Sequence, residues 1–245
     1  MTEQLPVWLR RLAAALGTTR REELSRHGVP PAGARPSAVL LLFGEGPAGP
    51  DVLLIQRAAQ LRSHGGQPAF PGGVVDLLDG GPVDTALREA AEEVGLDRDG
   101  VHVIGLLPDL YLPPTGYLVT PVVGWWRRPS PVWVVDPAEV ARVERVPLAE
   151  LVDPANRCRV RHASGYLGPA FVVRDLVVWG FTGGVLDRVL QLGGWATPWD
   201  PTVIRELVDA AGHPPPLDDG LPRTGPRGSA PAGGGLGPGP GTVET

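Results

Sequence analysis

Three glutamates, Glu89, Glu92 and Glu93, stand at positions i, i+3 and i+4 of one short segment. In a helix that spacing puts all three on one side. Like charges held so close repel unless a cation joins them. Carboxylate oxygens alone suit Mg²⁺ or Mn²⁺ rather than zinc. Acidic helix faces are also common solvated surfaces, so the glutamates alone leave both readings open. Upstream, Phe70-Pro71-Gly72-Gly73 forms a tight turn. Backbone at Gly72 and Gly73 can approach a phosphate closely because no side chain intervenes. Arg57, Arg62 and His64 precede the turn, and a guanidinium grips phosphate through two hydrogen bonds at once. Asp76 and Asp79 add acidic groups in the loop, and Arg88 stands one turn before Glu92, where the two can pair. Carboxylates, arginines and bare backbone are the parts that metal-assisted phosphate chemistry needs.

These residues need elements to hold them. Val83–Val94 is predicted as the helix, with Val83, Leu87, Ala90 and Val94 as its apolar stripe and the glutamates opposite. Pro82 suits its start and Gly95 its end. Ser37–Phe43 and Asp51–Gln56 are apolar runs joined by a Gly/Pro turn, a hairpin pattern. Val101–Leu107, Leu118–Trp126 and Val132–Val135 read as strands, and Ala138–Arg142 as a short helix carrying Glu139. Arg159–His162 and Ala170–Val173 read as a strand pair, and Leu176–Leu192 as a strand continuing into a helix. Tyr117 and Trp179 could stack on a base or pack in the core; His162 reads as structural. Residues 5–16 form an amphipathic pattern with Leu5, Trp8, Leu9, Leu12 and Leu16 on one face. That face serves packing within the chain or a homodimer.

Composition narrows the class. The chain has 245 residues, 42% hydrophobic, enough for a real core. No apolar run approaches the length of a membrane span, and the N-terminal residues lack the pattern of a secretory signal. A lone Cys158 excludes an internal disulfide and a cysteine zinc cluster, and points to a cytoplasmic location. The net charge of −5 argues against a general nucleic-acid binder. All 22 basic residues are Arg, which removes lysine Schiff-base and phosphate-loop chemistry. In residues 211–245, eighteen of 35 are Gly or Pro and none is aromatic, the composition of a disordered tail. The expected division is 1–34 for an N-terminal helix and linker, 35–210 for the main domain, and 211–245 for the tail.

Gly73 through Leu96 resembles the Nudix box of the Nudix hydrolase superfamily. Arg88-Glu89-Ala90-Ala91-Glu92-Glu93-Val94-Gly95-Leu96 fits almost every position, with Ala90 where a larger aliphatic is usual. Asp79 replaces the usual Glu, with one extra residue before Arg88. A second stretch, Leu53-Leu54-Ile55-Gln56-Arg57-Ala58, Arg62, Gly66 and Phe70-Pro71-Gly72-Gly73, is similar to the extra motif of the coenzyme A diphosphatase subgroup. The resemblance implies an α/β (α+β) fold, an α/β/α sandwich around a mixed sheet. It implies metal-dependent hydrolysis of a small-molecule diphosphate, with no nucleic-acid or membrane partner. For coenzyme A the products would be 3′,5′-ADP and 4′-phosphopantetheine; ADP-ribose, NADH or a non-catalytic regulatory role are the rivals. Glu89, Glu92 and Glu93 would hold Mg²⁺ or Mn²⁺, Glu89 and Glu93 would act in catalysis, and Glu139 is an outside candidate for the base. Arg57, Arg62, His64, Gly72 and Gly73 would meet the substrate.

Overall fold

The computed structural model describes residues 5–24, 30–61, 64–113 and 115–207. Arg62 and residues 211–245 lie outside the described residues. The chain opens with helices α1 (Val7–Leu16) and α2 (Arg21–Leu24). Strands β1 (Arg35–Gly46) and β2 (Gly49–Arg57) form the expected hairpin, with Phe43 opposite Val52 and Gly46 opposite Gly49. Two short strands, β3 (Pro68–Ala69) and β4 (Gly72–Val74), lead into helix α3 (Pro82–Val94). Strands β5 (Val101–Leu106), β6 (Leu110–Leu112), β7 (Tyr117–Trp126) and β8 (Val140–Pro147) complete an eight-stranded sheet. It is mixed, because β7 runs parallel to β1 while the other pairs are antiparallel. Helix α4 (Leu148–Val152) follows. Strands β9 (Arg157–Arg161), β10 (Leu167–Val173), β11 (Leu176–Val178) and β12 (Ile204–Glu206) make a second sheet of four, with helix α5 (Gly180–Gly193) between β11 and β12.

The alternation of β1 explains the sandwich. Val39, Leu41 and Phe43 join one buried cluster and Ala38, Leu40 and Leu42 the other. Successive strand side chains point to opposite faces, so a strand apolar at every position must be covered on both. On the first face lie Leu9, Leu12 and Leu16 of α1 and Val185, Leu186, Val189 and Leu190 of α5. On the second lie Ala86, Leu87, Ala90 and Val94 of α3. The apolar face of α1 is thus used inside the chain. No helix among the described residues is long and apolar enough to cross a membrane.

Two expectations fail. Val132–Val135 forms no strand; it runs past the end of α3, where the Trp133 and Val135 N–H groups donate to the Val94 and Glu93 carbonyls. Its apolar alternation served that docking, with orphan helix carbonyls as acceptors. Ala138–Arg142 is not a helix: residues 137–139 form a turn and β8 begins at Val140. The free edge of β2 captures this segment, pairing Val52 with Val146 and Ile55 with Val143, and that long-range ladder overrides local helix preference.

Candidate active site

Helix α3 begins with Pro82 at its first turn, where the missing N–H is no loss. It ends at Gly95, whose φ of 69° lets its own N–H and that of Leu96 return to Ala91 and Ala90. Its buried face includes Glu89 and Glu93, 1% and 2% exposed, beside Leu87, Ala90 and Val94. The Glu92 side chain is 41% exposed. The three acids therefore do not sit together opposite the apolar stripe. The i, i+4 pair turns toward the sheet, and Glu92 stays at the surface.

The Phe70–Gly73 turn seats that pair. A Cβ on Gly73 would collide with the Glu89 carboxylate, and one on Gly72 with the Ala38 carbonyl of β1. The Gly72 N–H donates to Glu93 Oε2 at 3.0 Å. Gly72 and Gly73, read from sequence as backbone for a phosphate, are committed here to the glutamates. Glu93 Oε1 is buried and accepts no hydrogen bond among the described residues. Burial pushes Glu89 up to about 7; the Arg88 charge opposes the shift, and Glu92 and Glu139 add to it. Burial raises Glu93 well above the carboxylate range, reinforced by Glu89 and opposed by the Gly72 N–H and Arg57.

Arg88 is the hub of the next layer. Its Nε and Nη2 donate to the two oxygens of Asp79, both at 2.9 Å. Its Nη1 donates to Glu89 at 3.0 Å and Glu92 at 3.3 Å, and Nη2 also reaches the Val74 carbonyl. The Arg88 hydrogen bonds lower Asp79 to about 2. Asp79 also accepts from Thr85 Oγ1 and the Asp76 N–H. The Arg88–Glu92 pair was legible at i, i+4; the stronger Asp79 clasp was not, because it spans a loop with no periodicity.

Arg57, the last residue of β2, is 3% exposed and close enough for its charge to favour ionised Glu93. The next residue ties the strand to the far wall, for the Ala58 N–H donates to the Glu139 carbonyl at 2.9 Å. Glu139 lies in the turn before β8, and its charge reaches both Glu89 and Glu93. The structure thus brings Arg57, Glu89, Glu93 and Glu139 to one place. His64 is buried in the loop after Arg57, with φ 59° and its ring 3.2 Å from the Gln67 amide oxygen. Tyr117 and Trp179 are 1% and 7% exposed, so both are core rather than stacking platforms.

Among the described residues, no three His, Cys, Asp or Glu side chains already form a ligand cage. The donor set nevertheless fits a hard divalent cation. It holds an orphaned buried carboxylate oxygen on Glu93, and a second carboxylate on Glu89 whose ionisation burial disfavours. Glu92 is held to one side by Arg88. A cation would satisfy the buried pair Glu89 and Glu93 with oxygen donors only, with Glu92 at the rim.

The chain is similar to known proteins over most of its described length. The sequence profile of the NUDIX domain matches residues 33–164. An uncharacterized Nudix hydrolase, NudL, from Photorhabdus laumondii is 39% identical over 145 residues, 58% of this chain and 76% of that protein. NudL from Salmonella paratyphi B is 39% identical over 163 residues, 65% of this chain and 83% of that protein. A crystal structure of a Nudix hydrolase from M. smegmatis, RenU, aligns with 72% of this chain and 96% of its own, with a TM-score of 0.49 and 21% identity.

Proposed function

We propose that this chain, which belongs to the Nudix hydrolase family, hydrolyses coenzyme A or its acyl derivatives to 3′,5′-ADP and 4′-phosphopantetheine or its acyl form. As a Nudix pyrophosphohydrolase it breaks the diphosphate bond of a small molecule. The substrate assignment is carried by one observation. The Leu53–Gly73 stretch, with its fixed run of Arg57, Arg62, Gly66 and Phe70-Pro71-Gly72-Gly73, leads directly into the carboxylate site, and its Arg57 lies within electrostatic reach of Glu93.

In this reading Glu89, Glu92 and Glu93 would hold the divalent cation, which would supply positive charge against the diphosphate and favour ionisation of a water. Water adds to one phosphorus and the bridging P–O bond breaks, leaving two phosphate monoesters. Arg57 and Arg62 meet phosphate charge, and coenzyme A, with a 3′-phosphate besides its diphosphate, gives two arginines work. Arg57 also faces Glu93, so it offsets carboxylate charge before substrate arrives. Glu139, whose charge reaches Glu89 and Glu93, would serve as the proton acceptor. Gly72 and Gly73 seat Glu93 and Glu89; His64 shapes the loop that follows Arg57.

The test is a product-resolved hydrolysis screen of coenzyme A, acyl-coenzyme A, ADP-ribose and NADH with Mg²⁺ and with Mn²⁺. The reading expects coenzyme A or an acyl derivative to show the highest kcat/KM. ADP-ribose or NADH leading by tenfold would replace the substrate and keep the reaction.

A further inference from the structure

The strand register places a second group of polar side chains beside the carboxylate site. Gly73 of β4 is opposite Ala38 of β1, and Ala38 is opposite Thr120 of β7. Directly paired residues point to the same face of a sheet. That face is the one α3 covers, because the missing Cβ of Gly73 is where Glu89 of α3 lies. Thr120 is therefore two strand spacings, roughly 10 Å, from the glutamate seat.

Helix α3 does not cover this end of the sheet fully. Its buried cluster takes in Ala38, Leu40 and Val122 but not Leu118, and Thr120 is only half-buried. Thr120, Leu118, Tyr111 and Asp109 are all half-buried. Tyr111 pairs with Leu118 across β6 and β7, on the same face, since the alternate partners Leu110, Val119, Leu112 and Tyr117 belong to the opposite core. Thr120 Oγ1 donates to Asp109 Oδ1 at 2.6 Å, so the carboxylate is held in place above the shelf. A carboxylate accepts more hydrogen bonds than one hydroxyl fills. The shelf thus combines an aromatic ring, an aliphatic side chain and a fixed acceptor, about a nucleoside's length from the diphosphate site.

We propose that Tyr111, Leu118, Thr120 and Asp109 form a nucleobase site selective for adenine. Tyr111 and Leu118 offer apolar surface to the ring, and Asp109 accepts a hydrogen bond from the exocyclic amino group. Hypoxanthine carries a carbonyl oxygen at that position and meets Asp109 with two acceptors face to face. Thr120 is a positioning residue that orients Asp109. The inference goes beyond the coenzyme A reading and stands without it, because any adenine-bearing diphosphate would use the same shelf.

The test is calorimetric binding of AMP and IMP to the full chain with saturating Mg²⁺, which needs no assumption about the substrate. Wild type is expected to bind AMP roughly tenfold more tightly, the scale of one hydrogen bond to a charged group. D109N keeps an oxygen for Thr120 but gives its other side to an NH₂ group, and should bring the ratio to within about threefold of unity. Y111L should weaken both ligands alike, by roughly fivefold or more, because stacking tolerates any base. Melting temperatures of both variants confirm folding. Equal affinity of wild type for AMP and IMP, or an undiminished ratio in D109N, overturns the proposal. If coenzyme A is not hydrolysed but the AMP preference holds, the substrate reading fails and the base site survives.

Discussion

Glu93 and Arg157 are both buried charges, 2% and 4% exposed, and the protein treats them in opposite ways. Arg157, at the start of β9, donates to Asp187 of α5 and lies between two aromatic rings, 4.2 Å from the Phe171 centroid and 4.5 Å from that of Trp199. A buried ion is tolerable when a counter-ion and polarisable surface replace its water. Glu93 has one hydrogen bond from a backbone N–H, one oxygen with none, and a second carboxylate, Glu89, close enough to repel it. The first arrangement has its counter-ion and both rings in place, with only Nε left without a hydrogen bond among the described residues. In the second, Arg57 offsets only part of the burial penalty, so the α3 side of the sheet stores instability that the α5 side has largely settled.

The sharpest way to break that contrast is Glu93→Gln. If Glu93 holds the catalytic cation, kcat should fall by roughly a thousandfold or more. The metal-free protein should melt at the same temperature or higher, because an unfavourable buried charge has gone. Hydrolysis assays beside thermal denaturation check both halves. A variant with near-normal turnover at saturating metal removes Glu93 from the site.

The same instability should be visible in pH. Glu89 has its folded pKa raised from 4.5 to about 7 by burial. Below the lower value both folded and unfolded chains hold the proton, and the group imposes no charge penalty. Between the two values the unfolded chain ionises first, so stability of the metal-free protein falls as pH rises. The loss should reach on the order of 3 kcal/mol above the folded value. Denaturation in chelator from pH 4.5 to 8 measures it together with the loss of the same sign from Glu93, whose folded pKa is also raised; Glu89→Gln should reduce the slope and saturating Mg²⁺ should flatten it. A flat profile for the metal-free wild type would mean the burial penalty is relieved by the protein itself.

On the settled side, Asp187→Ala strands the Arg157 guanidinium between its two rings. Breaking such a pair should destabilise by about 3 kcal/mol, tempered by the partial exposure of Asp187. At temperatures where the variant is folded, kcat should be unchanged. Between these two cases stands Asp79, a paired charge that orients the carboxylate site through Arg88. Asp79→Ala releases Arg88 and with it the orientation of Glu89 and Glu92. Outer-layer partners of metal ligands typically contribute 10–100-fold in affinity or activity, so a metal titration should shift by about that factor, with KM for the diphosphate little altered.

The site's geometry was legible in the sequence wherever it is local. The i, i+4 glutamates, the Arg88–Glu92 pair and the Pro82 and Gly95 helix bounds need only a few adjacent residues. The two-faced burial of β1 and β2 was likewise visible as continuous apolar runs. What sequence could not show are facts of the third dimension. Periodicity put the glutamates opposite the apolar stripe, whereas Gly73, sixteen positions before Glu89, leaves a gap into which a carboxylate can turn. Segment 138–142 looked helical until the edge of β2 captured it. Asp109 carried no motif, and only the register across three strands, which brings Thr120 into line with Gly73, and the Thr120 hydrogen bond place it there.

The smallest effect is expected from the C-terminal residues, and two truncations make it informative. We expect removal of residues 211–245 to leave kcat/KM and melting temperature unchanged, since a stretch so rich in Gly and Pro has little apolar surface to bury. Removal from residue 204 onward is a different experiment. It deletes β12, which pairs Ile204 with Arg159 and Glu206 with Arg161, and takes Leu207 out of the cluster with Cys158, Val160 and Trp179. That truncation should lower the melting temperature by several degrees, as expected when one buried leucine and a strand ladder are lost. The second sheet is remote from the glutamates in sequence and belongs to the settled side of the molecule. Its loss should therefore reduce stability and leave the metal titration unmoved, and a shift in metal affinity would show that the two regions are coupled.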